Sequence, residues 1–286
     1  MITIGLTTWF DHPSLIKEDR QVRLDEYAAR FPTVEVDNPF YGIPTTSTVR
    51  QWQTAVPETF QFILKANREM TMHPQDDRMK DPVTDEARRK IFQDYQQMLQ
   101  PLVATNQLKT VLFQFPPYFK AEPDNFTYLR KIRAMMPTTP ISVEFRNASW
   151  FDPVIFNQLT EYFKDLKFTL VAADEAQTAI GSVPFNLSVT SPHLAFIRLH
   201  GRNLEGWGNA GPEWRKKRTL YRYNETELEQ LKQAIDKIKP QVKEVCVIFN
   251  NNSGHDAADN ALQLQKMMNL KFNGLAKRPP EQLDLF

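Results

Sequence analysis

The chain has a single cysteine, Cys246, and no apolar run near the roughly 20 residues of a membrane-spanning helix. The first absence excludes an internal disulfide, and the second argues against a helical span. Cys246 lies in the apolar stretch 245–249, where a small buried hydrophobe is a simpler reading than a nucleophile. Neither charge sign dominates: 35 Lys and Arg oppose 34 Asp and Glu, for a net charge of +1. The broad positive field of a protein that coats nucleic acid is therefore missing, and any anion binding must be local. No basic region, apolar h-region or small-residue cleavage site precedes the first strand-like stretch, 2–8, so the expected location is the cytoplasm. There is no Walker loop, HExxH or CxxC, and Gly206-Trp207-Gly208 lacks the third glycine and helix of a dinucleotide fingerprint.

What is present is a repeated pattern. Apolar runs rich in β-branched or aromatic residues occur at 2–8, 33–37, 60–65, 110–115, 141–145, 168–174, 195–200 and 245–250. Helical spacing separates most of them, at 24–30, 46–54, 86–103, 125–135, 153–163, 225–238 and 257–268. Strand-helix alternation implies a parallel sheet with right-handed crossovers, and eight strands in a chain of 286 residues favour closure. The expected fold is α/β, a single (β/α)8 TIM-like barrel over 1–270 with an irregular sixth crossover at 175–194. An extended C-terminal tail, 271–286, should leave the barrel. Asp152 and Asp256 are expected to start helices.

The informative feature is where the polar residues fall. Val34-Glu35-Val36-Asp37, Val143-Glu144-Phe145-Arg146 and Ile197-Arg198-Leu199-His200 all put ionisable groups at the ends of buried strands, where a parallel sheet should be apolar. If polar side chains take the axial side, the inward sets include Glu35 with Asp37, Lys65, Gln114, Glu144 with Arg146, Ala172 with Asp174, Arg198 with His200, and Asn250. Four acids then meet three bases at the C-terminal mouth, where barrel enzymes keep their sites. Glu35 and Glu144 are the preferred acid/base pair, and His200 a proton shuttle or ligand. Asp37, Lys65, Gln114, Arg146, Asp174, Arg198, Arg202, Asn250 and Asn251 are substrate-binding candidates for a small anion. Hydrolysis, lyase chemistry and isomerisation are all open. A non-catalytic module for a phosphate ligand or a nucleotide, and a self-satisfied ion-pair network, use the same residues. Glu35, Asp37, Glu144, Asp174 and His200 could also hold a divalent metal, although three cations compete with it.

The loops above the strands are aromatic, with Trp9, Tyr41, Trp150, Trp207 and Trp214 as candidate stacking walls. Loop seven, 201–211, holds four glycines and runs into the basic segment 215–218, which on its own reads equally as a solvated face. With Asn250-Asn251-Asn252-Ser253-Gly254 it forms the place where barrels often bind phosphate, and Arg198 and Arg202 are the expected ligands there.

These blocks resemble the domain of unknown function 72 family. The resemblance rests on 33–37 with Phe40-Tyr41 and Pro44, Leu112-Phe113-Gln114-Phe115-Pro116-Pro117, Val143-Glu144-Phe145-Arg146 with Ser149-Trp150, Arg198-Leu199-His200-Gly201-Arg202, Tyr221-Arg222-Tyr223, and Phe249-Asn250-Asn251 with Gly254 and Asn260-Ala261. It implies a TIM-like barrel with a shared polar mouth and supplies no reaction. Asp37, Met72 and Asp174-Glu175-Ala176 depart from the family pattern. Finally, Gln282-Leu283-Asp284-Leu285-Phe286 resembles the bacterial sliding-clamp-binding pentapeptide, which would make that clamp a partner. The alternative is a tail that packs on its own barrel or on a neighbouring subunit.

Overall fold

In a computed structural model, which describes residues 1–73, 84–178, 181–208 and 217–277, eight parallel strands close into a barrel in chain order. They are β1 (Ile2–Thr7), β2 (Thr33–Val36), β3 (Gln61–Lys65), β4 (Leu108–Gln114), β5 (Ile141–Glu144), β6 (Phe168–Glu175), β7 (Leu194–Gly201) and β8 (Glu244–Phe249). Almost every strand position is buried, as expected of a sheet covered on one face by helices and filled on the other by side chains. Closure is made by β1 against β8, with Ile2 opposite Val245 and Leu6 opposite Phe249. Gly5 is required in β1, because a Cβ there would stand 2.3 Å from the Thr33 carbonyl oxygen.

The helices are α1 (Leu24–Ala28), α2 (Asn38–Tyr41), α3 (Thr46–Thr54), α4 (Asp85–Ala104), α5 (Pro123–Met135), α6 (Pro153–Leu166), α7 (Leu204–Gly208), α8 (Glu225–Ile238) and α9 (Asp256–Met267). Asp152 caps α6 by accepting from Val154 N at 3.0 Å. Asp256 does not cap α9. His255, in the left-handed region at φ 60°, precedes the helix, and Asp256 takes its first turn facing Arg222. Among the described residues the sixth crossover contains no helix. It is held by Glu175, which accepts from Val183 N at 2.8 Å, and by Thr190, which donates to Phe168 O at 2.9 Å.

The chain after α9 does not leave the barrel where the sequence suggests. Thr59 Oγ1 donates to Gly274 O at 2.9 Å, Ala276 N donates to Ala28 O at 3.0 Å, and Phe272 and Ala276 pack against the core. Gly274, at φ 72°, allows the turn. Thr59 precedes β3 and Ala28 precedes β2, so residues 271–277 lie across the N-terminal rim. The pentapeptide Gln282, Leu283, Asp284, Leu285, Phe286 and the aromatic Trp214 lie outside the described residues. No helix among the described residues is long and apolar enough to cross a membrane.

Candidate functional site

The barrel interior is layered. At its N-terminal end Lys109 pairs with Glu244, which also accepts from Thr3 Oγ1 at 2.5 Å. Above this plug lies an apolar layer of Ile63, Leu112, Val171, Phe196, Cys246 and Ile248. Burial pushes the Cys246 thiol up to about 12, so it is a packed hydrophobe and not a thiolate. The third layer is ionic and sits at the strand C-termini.

Arg198 is its centre and is 1% exposed. Its Nε and Nη2 grip both oxygens of Glu35, at 2.7 and 2.5 Å, and its Nη1 donates to Glu144 Oε2. Thr7 Oγ1 donates to Glu35 at 3.2 Å. Glu144 Oε1 accepts from Gln114 at 3.0 Å and pairs with Arg146 Nη2 at 2.6 Å. Arg146 Nη1 reaches Glu175. His200 Nε2 lies 2.8 Å from Arg146 Nη2, and the Asn250 amide lies 2.8 Å from Nδ1. The Asn250 atom is its amide nitrogen, which can only donate, so Nδ1 accepts from Asn250 and Nε2, 3.2 Å from Glu144 Oε1, carries the ring proton.

The two bridged carboxyls differ in proton affinity. Burial raises Glu35, and Asp37 adds to the rise; its share of the Arg198 guanidinium offsets this only in part. Burial also acts on Glu144, but Arg146 and Arg198 together overcome it and hold that carboxyl well below its usual range. Two guanidiniums serve Glu144 where one serves Glu35. His200 is pushed down to about 3, by burial first and by Arg146 second, so the ring is neutral. Between about 6.5 and 3 the unfolded chain takes a proton at this imidazole and the folded chain does not, so His200 makes folding less favourable as pH falls through that window. A His200→Gln variant is expected to lose less stability than the parent between neutral and mildly acidic pH. Urea titrations across that range measure it, and parallel curves would remove His200 as a source of the acid sensitivity.

Around this layer the expected residues divide. Lys65, Asp37, Gln114, Arg146 and Asn250 remain partly exposed above the buried Glu35, Glu144, Arg198 and His200. Lys65 stands 3.8 Å from Asp37 and over the Phe40 ring. Trp9 is half-buried, edge-on to Trp52, and Tyr41 is exposed. Trp150 is not a wall of the mouth: it is 0% exposed, lies flat on Phe145 at 4.0 Å between ring centroids, and donates from Nε1 to Phe119 O. The phase of β6 is also corrected. Val171 points inward, so Glu175 joins Arg146, while Asp174 pairs with Arg202 and accepts from Tyr223 OH. Sequence reasoning missed Glu175 because β6 carries two consecutive acids after apolar residues of both parities.

The expected phosphate cradle is corrected as well. Arg198 is consumed by two carboxylates, and Arg202 by Asp174 at 2.6 Å and Glu227 at 3.2 Å. The start of α9 holds Asp256 and Asp259, both paired with Arg222, where a phosphate was expected. Asn251 is fully buried and braces the Tyr221 carbonyl and Asn260. Glu35, Asp37, Glu144, Asp174 and His200 do not form a ligand set, since Asp174 belongs to the Arg202 network. Among the described residues no group of three or more His, Cys, Asp or Glu is placed to hold a metal.

One asymmetry separates this end from the other. Among the described residues, eight buried side-chain polar atoms have no hydrogen-bond partner, and only Thr33 Oγ1 lies at the start of a strand. The rest follow strand ends, and they include Thr8 Oγ1, Asp37 Oδ1, Arg146 Nε and Trp207 Nε1. Thr8, a β-branched residue at φ 61°, is also strained there.

A closed parallel eight-stranded barrel with an ionic layer beneath its C-terminal mouth is thus what the sequence builds. The chain belongs to the family described as "Protein of unknown function DUF72", whose model matches residues 3–283. It is 41% identical to the UPF0759 protein YunF of Bacillus subtilis (strain 168), over the whole of both chains. Among solved structures it is similar to a DUF72 family protein of Enterococcus faecalis V583, with 40% identity, a TM-score of 0.90 and coverage of 99% of this chain and 100% of that one. A DUF72 family protein of Thermotoga maritima MSB8 is similar at 27% identity and a TM-score of 0.78, covering 94% of this chain and 100% of that one.

Proposed function

We propose that the C-terminal mouth is the active site of an enzyme acting on a small anionic substrate, with Glu35 and Glu144 as its acid/base pair. The observation that supports it is the concentration of buried polar atoms without a hydrogen-bond partner at this end, seven of the eight among the described residues. Each costs about 1–3 kcal/mol while unsatisfied, and the Lys109–Glu244 plug shows that the same barrel can close a charged layer on itself. A purely structural network has no use for open donors.

In this reading Glu35 is the member that more readily takes up a proton during the reaction and Glu144 the member that stays ionised, because burial and Asp37 raise the first while Arg146 and Arg198 hold the second down. Gln114 and Arg146 bond Glu144 directly and are partly exposed, so they link the buried pair to whatever enters. Neutral His200 cannot supply a cation at physiological pH; it donates from Nε2 to Glu144 and packs against the Arg146 guanidinium.

The test begins with a thermal-shift screen of a metabolite library against the full chain, followed by turnover of each hit. Glu35→Gln and Glu144→Gln are expected to lower turnover about 10²-fold or more while leaving ligand affinity within a few-fold. Turnover that survives in both variants would sink the acid/base assignment. Saturable binding with no turnover by the parent would instead favour a binding module.

A further inference from the structure

Trp207 sits on α7, directly after β7, with the Arg218 guanidinium carbon 3.8 Å and the Arg146 guanidinium carbon 5.7 Å from its ring centroid. The nearer one is at stacking distance. Arg146 spends its terminal nitrogens on Glu144 and Glu175, and its Nε is buried with no acceptor. Trp207 Nε1 is buried with no acceptor as well. Both groups can only donate, so both lack the same thing.

The local charge points the same way. Arg218 is pushed down to about 10, by burial first and by repulsion from Arg146 second, with Glu175 opposing. Glu175, raised by burial, is the carboxylate that pairs with Arg146 Nη1. An oxyanion accepts both hydrogen bonds and suits a place where two guanidiniums lie against one indole.

We propose that Trp207, with Arg146 and Arg218 over its ring, is an oxyanion subsite of the mouth that takes a carboxylate or phosphate group through Arg146 Nε and Trp207 Nε1. This rests on the reading of the mouth as a substrate site, and it moves the anion away from Arg198 and Arg202. The acidic side of the mouth, Asp37, whose Oδ1 stands 3.8 Å from Lys65 Nζ and accepts no hydrogen bond, is left for a hydroxyl or amine of the same substrate. The substrate class is therefore a small hydroxy- or amino-bearing acid or phosphate ester.

The experiment is an NMR titration of the full chain, labelled at indole nitrogen, with inorganic phosphate and separately with malonate. Trp207→Phe, which keeps the ring and loses the N–H, assigns the resonance. The Trp207 signal is expected to move saturably with one of the two anions, and the tighter anion tells phosphate from carboxylate. Trp207→Phe and Arg218→Met should each weaken that binding about fivefold or more, the loss of one hydrogen bond or its charge, while Arg222→Met should not change it. An unmoved Trp207 signal at about 50 mM of either anion, or equal affinity in Trp207→Phe and Arg218→Met, would overturn the subsite. The two readings fail separately. If Glu35→Gln abolishes turnover while no anion moves Trp207, the acid/base pair stands without this subsite; anion binding with undiminished turnover in Glu35→Gln leaves the subsite and removes the pair.

Discussion

Arg198→Met is expected to lower stability by about 3–5 kcal/mol, the cost of leaving buried charge without its partner. Glu35 and Glu144 are both 0% exposed and share this one guanidinium. Without it, Glu35 has only the Thr7 hydroxyl and more distant cations, and Glu144 keeps Arg146. The folded chain must then protonate Glu35 or admit water. The loss should therefore shrink in acid, where a protonated Glu35 no longer needs the cation. The triple variant Glu35→Gln/Glu144→Gln/Arg198→Met should recover much of the stability, since it removes the charges together with their partner. Urea unfolding of the three proteins measures this. A single variant as stable as the parent would show that the ionic layer does not depend on Arg198.

Trp150→Ala is expected to cost about 3–5 kcal/mol, as for other large buried side chains. The indole is stacked on Phe145, lies 5.7 Å from Phe119 and 4.8 Å from Phe126, and closes a hydrogen bond to Phe119 O at 2.7 Å. Trp150→Phe retains a ring and loses the hydrogen bond, so about 1–2 kcal/mol is expected. Neither change should alter ligand affinity in the mouth beyond the effect of stability. A Trp150→Ala protein that unfolds with the parent but binds ligand weakly would return Trp150 to the site.

Both effects bear on what a sequence can reveal. In β5, Ser142 and Glu144 alternate with Ile141, Val143 and Phe145, and in β7 Arg198 and His200 alternate with Ile197 and Leu199, so polarity fixes the phase. In β6, Leu170-Val171-Ala172-Ala173 is apolar on both faces and ends in two acids, so polarity fixes nothing and only the barrel register places Glu175 inward. Trp150 is hidden from sequence for another reason. The short 3-10 turn Ala148–Phe151, capped by Asn147, folds the loop back under itself, and residue type does not say which way a loop aromatic turns. The use of Arg202 as a brace was equally invisible, because its carboxylate partners come from β6 and α8, far apart in the chain. The basic segment 215–218 looked like a solvated face, yet Arg218 stacks on Trp207.

The anchoring of residues 271–277 across the N-terminal rim makes the two ends of the molecule unlike. The ionic mouth is at one end, and Lys277, the last described residue, is at the other. An apolar layer and the Lys109–Glu244 plug seal the interior between them, so no ligand passes through the barrel from one to the other. Residues 271–277 therefore brace the base of the barrel, like the foot of a lamp, and the ionic layer opens on the opposite face.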